Sequence, residues 1–357
     1  MTTRTDTLDD ALDRLAGYDY QDGVGFACHG PMGAEALSSL GYDDLIPRWV
    51  ESYKSKHPPI AAPPATQRID PDDETSWRAA VGSFPRLTDW ASLFTQELAE
   101  QPWPTVLRIW LPRLLPGAGG GLTHGLLRVA HGVRALPTND GQPSELALNE
   151  LARGLAAWAG WFRLLPGRPE LRGPLTLDKA LDGLPWPAER WSPIEAGMFT
   201  RLDELDGFTA AVEALGPPEA DPQALSDLTA AFCRMLLASP RVFPQGPVHM
   251  VTPTAAVRTL LPYLPGVSVR AVYAQLWHVA AAIACGFLDP TSPVETPPPE
   301  DEPPTLPTPA DLAARAAEHG DPHAVKFTEA CLRENDLRPD PVYLLAARHV
   351  LDHTPAW

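Results

Sequence analysis

The stretch DPHAVKFTEACLRE, residues 321–334, is the part of the sequence that best defines both the fold and a candidate site. Asp321 is a good helix cap because its carboxylate accepts hydrogen bonds from the N–H groups of a first turn, and Pro322 needs no N–H at the first helical position. We therefore predict a helix that begins here. His323 and Lys326 are three residues apart and share one face with apolar neighbours, so this polar pair is expected to point into the protein.

A buried histidine and lysine are unfavourable together unless the lysine is neutral, paired with an anion or chemically modified. An ammonium group has no lone pair and cannot bind a metal ion. The ordinary alternative is a surface lysine that extends from the helix or forms an ion pair with Glu329 or Glu334. Residues 321–334 alone do not decide between these two interpretations.

The rest of the chain predicts many short helices. Its 357 residues include 42 prolines, which often follow Ser, Thr or Asp at expected helix starts. Alternating patterns typical of strands are scarce. We predict an all-α fold, a single large irregular helical domain over residues 1–357, with an acidic proline-rich loop at residues 289–309.

Composition excludes several classes of protein. A formal net charge of −17 argues against nucleic acid and anionic membrane surfaces as partners, because both bind basic faces. The four cysteines are far apart and lack metal-binding spacing, which predicts buried, reduced thiols in a cytoplasmic protein. Residues 271–288 are apolar but too short and too polar for a membrane span, so a buried core helix is expected there. The oligomeric state is not predicted.

Several histidines occupy positions from which they can converge. His29, His249 and His323 stand at or just before predicted helix starts, and His124 follows a glycine run. Side chains at helix ends and in loops can be directed to one point while the helices stay rigid. A set of neutral imidazoles suits Fe, Zn, Cu or Ni rather than Mg or Ca. The glycine run at residues 117–121 has no phosphate-loop pattern and predicts a flexible or tightly turned connection instead.

Four segments in order resemble the questin oxidase-like family. They are CHGPMGAEAL at residues 28–37, GLTHGLL at 121–127, HMVT at 249–252 and the stretch at 321–334. The resemblance extends over about residues 18–353. It implies an enzyme of secondary metabolism, an oxidoreductase that oxygenates and opens the rings of anthraquinones. Some members of that family are non-heme iron enzymes whose metal is held by four histidines and a carboxylated lysine.

Carried over to this sequence, the resemblance implies Fe(II) held by the following residues: His29, His124, His249, His323 and carboxylated Lys326. His278 competes with His249 for the fourth imidazole position and is otherwise the candidate catalytic histidine. A buried lysine amine with a lowered pKa can react with carbon dioxide to give an anionic oxygen ligand. Cys28 departs from the polar residue expected before the family's His-Gly-Pro, so the hydrogen bonds around His29 are expected to differ.

The expected substrates are dioxygen and a small aromatic polyketide of the anthraquinone type. Two other functions stay open. One is a metal-free Baeyer–Villiger oxidation with NADPH as reductant, in which the same histidines act as general bases; the sequence has no GxGxxG, so NADPH would bind without a Rossmann domain. The other is a non-catalytic helical interaction protein that docks through its proline-rich segment.

Overall fold

The computed structural model describes residues 3–23, 25–137, 141–218, 223–239, 245–288 and 306–357. Within these ranges the chain is all-α, as predicted, with 17 α-helices and three strands of two residues each. No helix in the described ranges is long and apolar enough to cross a membrane. Most of the predicted loop at residues 289–309 lies outside the described residues.

The chain forms two compact units, which we describe separately. Their ranges are Met1–Leu164 with Ala256–Val267, and Leu165–Ala255 with Ser268–Trp357. The single domain that we expected over the whole chain stays a prediction.

The α-helices begin and end as follows, in chain order: α1 Arg4–Arg14, α2 Gly30–Ser39, α3 Ile46–Lys56, α4 Glu74–Ala80, α5 Leu87–Glu100, α6 Trp103–Leu114, α7 His124–Ala135, α8 Glu145–Trp161, α9 Leu177–Asp182, α10 Pro193–Met198, α11 Phe208–Glu213, α12 Ala224–Leu237, α13 Thr252–Val257, α14 Val269–Phe287, α15 Pro309–His319, α16 Pro322–Leu337 and α17 Pro341–His353. The strands are β1 Gln21–Asp22, β2 Phe26–Ala27 and β3 Pro59–Ile60.

In the first unit, α8 packs along α7 and α5, and α2 packs on α7. The glycine run before α7 makes this close approach feasible, because a Cβ on Gly120 would stand 1.7 Å from the carbonyl oxygen of Trp161. Gly125, in the first turn of α7, would likewise place a Cβ 2.4 Å from Cα of Trp158. The structure confirms the tightly turned form of the connection predicted at residues 117–121. This turn results from the close packing of its backbone against residues of α8.

The first unit also contains a small antiparallel sheet that the sequence did not predict. β1 pairs antiparallel with β2, where Gln21 faces Ala27, and with β3, where Gln21 faces Ile60. The strands are too short for an alternating pattern to show, since strands are normally recognised over four or more residues. This sheet fixes the backbone just before His29.

Glu35 links three helices of the first unit. Its carboxylate, on α2, accepts a hydrogen bond from Arg4 of α1 at 2.9 Å and from Ser39 at 2.7 Å. From α7, His131 Nδ1 donates at 2.6 Å and Arg134 also donates. Burial alone would raise the pKa of the Glu35 carboxyl, but Arg134 and His131 more than offset that effect and hold it well below its usual range.

Glu35→Gln is expected to destabilise the protein at neutral pH and much less in acid. A carboxylate with a lowered folded pKa stabilises the folded state above the unfolded pKa of about 4.3, and this stability is lost as pH falls through the folded pKa. We expect a loss of about 3 kcal/mol in the free energy of unfolding at pH 7, because Arg4 and Arg134 lose their anion. Urea titrations at several pH values measure it.

The control is Glu51→Gln, on the surface of α3, whose side chain is 56% exposed and whose ion pairs should contribute little. A Glu35→Gln effect that is equally large at neutral pH and in acid would contradict the prediction.

The second unit is built around α12, α14 and the C-terminal helices. α16 packs against α17 and α15, and α17 packs against α12. α14 is buried along most of its length, which confirms the predicted core helix. α14 also contacts the 3-10 turn Pro247–Met250, which carries His249. The four cysteines of the chain are buried free thiols, as predicted.

Candidate metal centre

His29 precedes the first residue of α2 and is 6% exposed. Its imidazole makes no capping hydrogen bond to the first turn of α2. The backbone N–H of His29 donates to the hydroxyl oxygen of Tyr53 at 2.8 Å. The Tyr53 hydroxyl in turn donates to the carboxylate of Asp22 on β1.

Asp22 and Tyr53 were not among the sequence-predicted site residues. Asp22 is 2% exposed, and burial raises the pKa of its carboxyl despite hydrogen bonds from Tyr53 and the nearby His57. Burial also raises the pKa of Tyr53 far above its usual range, so the phenol keeps its proton and donates. These contacts orient the backbone at His29, and no local sequence pattern indicated that they would form.

His124 is the first residue of α7 and points its ring towards His29. The Nε2 atoms of the two imidazoles are 2.9 Å apart, and the rings meet edge to face with centroids separated by 4.7 Å. Nδ1 of His124 lies 2.7 Å from the carbonyl oxygen of Gly121. A carbonyl oxygen only accepts, so Nδ1 carries the proton in the neutral ring and Nε2 keeps its lone pair.

This pair meets the first requirement for a shared metal ion. Ligating histidines commonly donate their other ring N–H to a backbone carbonyl, as His124 does to Gly121. Two imidazole nitrogens about 2.1 Å from one ion and at right angles are about 3.0 Å apart, close to the separation between His29 and His124. The chemistry of the donor pair fits an imidazole-preferring ion such as Fe, Zn, Cu or Ni.

The turn before His124 has a strained backbone. Gly121, Leu122 and Thr123 are all left-handed, with φ of 56°, 52° and 66°. For a residue with a Cβ this conformation is unfavourable by roughly 1–2 kcal/mol. Strain of this kind clusters at functional sites, where the surrounding packing imposes it. In this turn it accompanies the carbonyl of Gly121 that holds His124.

The Leu122→Gly variant is expected to be more stable than Leu122→Ala. In most positions of a folded protein alanine is the more stabilising of the two residues. Leu122→Gly and Leu122→Ala both remove the half-buried side chain, but only alanine keeps the Cβ that opposes a φ of 52°. We expect the glycine variant to have the larger free energy of unfolding by about 1 kcal/mol, measured by chemical denaturation.

Gln96, exposed within α5, provides the matched comparison. There Gln96→Ala should exceed Gln96→Gly in stability by roughly 0.5–1 kcal/mol, because glycine loses more backbone freedom in a helix. If position 122 shows the same order as position 96, the turn is not strained.

His323 and its cap lie in the second unit. Asp321 caps α16 as predicted and accepts from the backbone N–H groups of His323 at 2.9 Å and Ala324 at 3.1 Å. Nδ1 of His323 is 3.7 Å from the Asp321 carboxylate. Burial alone would raise the pKa of Asp321, but the interactions with His323 and Ala324 outweigh it and lower that pKa.

His249 stands near His323 within the same unit. It belongs to the 3-10 turn before α13 and is 1% exposed, in agreement with the predicted position before a helix. The rings of His249 and His323 are nearly perpendicular, with centroids 5.8 Å apart. The second unit therefore brings together two of the predicted ligands.

Lys326 follows His323 by one turn of α16 and is 3% exposed. Phe327 and Ala330 are also buried, which confirms that this face of the helix points inward. Glu329, one turn further, is 6% exposed and forms an ion pair with Arg333 at 3.0 Å. The surface-lysine interpretation is wrong for Lys326, because its side chain is almost fully buried.

His278 lies in the middle of α14. Its Nε2 is 2.8 Å from the carbonyl oxygen of Pro166, and its ring stacks on Phe208. Burial lowers the pKa of His278, so the ring is neutral and Nε2 donates to that carbonyl. These contacts are typical of a hydrogen-bonded core histidine, and they favour His249 over His278 as the fourth ligand. The catalytic role of His278 stays a prediction.

The high tryptophan content does not by itself indicate a ligand pocket. Trp90 and Trp110 are fully buried and pack edge to face with centroids 5.5 Å apart, and Phe94 completes the cluster. Trp158 and Trp161 lie against the glycines before and within α7. These indoles fill the core of the first unit.

No protein-family model matches the chain, and no curated protein matches it. The similarity to questin oxidase-like enzymes therefore stays a hypothesis that rests on the four sequence segments and on the histidines described above.

Proposed function

We propose that the protein is a non-heme iron oxygenase that acts on a small aromatic polyketide of the anthraquinone type. The observation that carries the proposal is the His29–His124 pair, with Nε2 atoms 2.9 Å apart and the tautomer of His124 set by the carbonyl of Gly121. The identity of the metal, the oxygenase chemistry and the substrate class come from the resemblance to the questin oxidase-like family.

The proposed ligands are the two pairs of histidines and the modified Lys326. His29 and His124 supply one pair, and His249 and His323 supply another. Four neutral imidazoles bring no negative charge to a divalent ion. A carbamate on Lys326 would provide that charge and an oxygen ligand, in keeping with the burial of this side chain.

The residues of the chain have distinct tasks in this proposal. The Gly121 carbonyl keeps the proton on Nδ1 of His124, and thus directs the lone pair of Nε2 towards His29. Tyr53 fixes the backbone of His29, and Asp321 fixes the backbone of His323. The burial of all four histidines, complete or partial, limits the access of water. When bound, a ferrous ion would supply dioxygen activation next to an electron-rich ring.

A metal-free oxidation with NADPH is the second candidate. The tautomer of His124 that suits a metal ligand also suits a general base, because Nε2 keeps its lone pair in both cases. Metal content and activity separate the two candidates.

Iron content should depend on each of the proposed histidine ligands. We expect close to one iron per chain in native protein that has been purified without a nickel column and loaded with Fe²⁺ without oxygen. If one ion is held by all the proposed ligands, His29→Ala and His323→Ala should each remove nearly all of it, since each leaves an incomplete site. Elemental mass spectrometry measures the content.

His353→Ala, which removes an exposed histidine, is the matched control and should keep its iron. Two independent ions would instead leave about half of the metal in each variant. A native protein that is folded and takes up no iron would contradict the metal-dependent mechanism and favour the metal-free one.

The carbamate on Lys326 should be directly visible. After incubation with carbon-13-labelled bicarbonate, the native protein is expected to show a carbamate carbon resonance that Lys326→Met lacks, because only a neutral amine forms the new N–C bond and releases a proton. Lys54→Met, which removes a surface lysine on α3, should leave the resonance unchanged. A spectrum without a carbamate signal at saturating bicarbonate and metal would rule out this ligand.

A further inference from the structure

His319 is the last residue of α15 and occupies the junction with α16. It is 9% exposed, and it is not among the site residues predicted from the sequence. Gly320 follows in the left-handed conformation, with φ of 78°, and ends the helix. Asp321 then caps α16. Gly320 and Asp321 therefore separate the two helices, and three residues separate His319 from His323.

Both ring nitrogens of His319 are used. The backbone N–H of Asp321 donates to Nδ1 at 3.4 Å, so Nδ1 keeps its lone pair. In the neutral ring the proton is then on Nε2, which donates to the carbonyl oxygen of Thr354 at 2.9 Å. The backbone carbonyl of His319 also accepts from the N–H of Trp357 at 2.9 Å. The imidazole joins the start of α16 to residues 354–357.

This link is anchored at its far end. Thr354 is 5% exposed and its N–H donates to the carbonyl of Val350 at 3.0 Å, so the Thr354 carbonyl that receives His319 is fixed to the last turn of α17. α17 packs on both α15 and α16. A rigid helix thus holds His319, and His319 holds the backbone of Asp321.

The same backbone determines where His323 points. The Asp321 carboxylate binds the N–H groups of His323 and Ala324, and together they form the first turn of α16. Lys326 lies one turn further along. A ligand must be held within about 0.5 Å of its productive position, and supporting hydrogen bonds are what provide this precision.

We propose that His319 is a positioning residue for the metal centre: through its hydrogen bond from the N–H of Asp321 it fixes the first turn of α16, with residues 354–357 as its anchor. The inference rests on the proposed function, because it takes His323 as a ligand. His319 itself binds no metal in this arrangement, since both of its ring nitrogens are occupied by backbone groups.

Two substitutions separate the two hydrogen bonds of the ring. His319→Asn places an amide oxygen near the position of Nδ1, so it can accept from Asp321 but cannot reach Thr354. His319→Gln places its amide one carbon further out, so it can donate to Thr354 but leaves the Asp321 N–H without its acceptor. Both are polar and smaller than histidine, so the loss of the ring is common to them. His353→Asn, at an exposed position, controls for adventitious metal binding by a surface histidine.

Two readouts are needed, and one of them does not involve metal. The first is the affinity for Co²⁺, titrated into the full-length metal-free protein. The second is hydrogen exchange at the backbone amides of His323 and Ala324 in metal-free protein. We expect His319→Gln to bind Co²⁺ at least about tenfold more weakly than the native chain and to exchange these amides faster, as typical for the loss of a group that orients a metal ligand. His319→Asn should stay near native in both.

A purely structural role predicts a different pattern. If Asn and Gln lower the thermal midpoint together but leave Co²⁺ affinity and the two amides as in the native protein, the proposal is overturned. It is also overturned if Asn is as damaging as Gln in both readouts. A native protein that binds no Co²⁺ overturns the proposed function, and the exchange of the two amides then decides separately whether His319 fixes the turn.

Discussion

The arrangement of the first unit depends on the close approach of α7 to α8. A side chain at Gly120 or Gly125 would overlap the backbone around Trp158 and Trp161, so only glycine permits this packing. The approach has a consequence for the preceding turn, which adopts left-handed backbone angles even at Leu122 and Thr123. In that turn the carbonyl oxygen of Gly121 lies within hydrogen-bonding distance of Nδ1 of His124. A packing constraint between helices is thereby coupled to the tautomer of one imidazole.

Buried polar groups link several helices of the first unit. Glu35 joins α1, α2 and α7, and Arg128 pairs with Glu150 at 2.6 Å between α7 and α8. Such buried ion pairs contribute little to net stability, because the free-energy cost of removing both charges from water offsets most of their mutual attraction. They do select one arrangement of the helices, since any other arrangement would leave a charge buried alone. The polar network of the first unit thus specifies how α2 and α7 meet at His29 and His124.

Much of the fold could be predicted from the sequence. Caps and prolines are local signals, and for this reason the starts of α10 at Pro193 and α16 at Pro322 follow directly from their Ser and Asp caps. The inward face of α16 was also predictable, because helical periodicity places Lys326 with Phe327. The three short strands could not be found, since two-residue strands carry no periodic signal.

The histidines of the candidate site could be predicted from the sequence. The residues that hold them in place by hydrogen bonds could not. His29 was predicted from its position before a helix start, His124 from its position after a glycine run, and both from the resemblance. The structure brings the two histidines together. Tyr53 and Asp22 support His29 from 24 and 7 residues away, through contacts that exist only after the chain has folded. The link from His319 to Thr354 spans 35 residues for the same reason. Long-range hydrogen bonds to backbone groups leave no mark in a single sequence.

The placement of the histidines also bears on the charge that a metal centre would need. His29 immediately precedes α2 and His124 is the first residue of α7, and at these helix starts the helix dipole concentrates partial positive charge. This partial positive charge opposes a bound cation, and neutral imidazoles carry no negative charge that would offset it. In the proposed centre an anionic ligand would offset this charge, and a carbamate on the buried Lys326 would supply one.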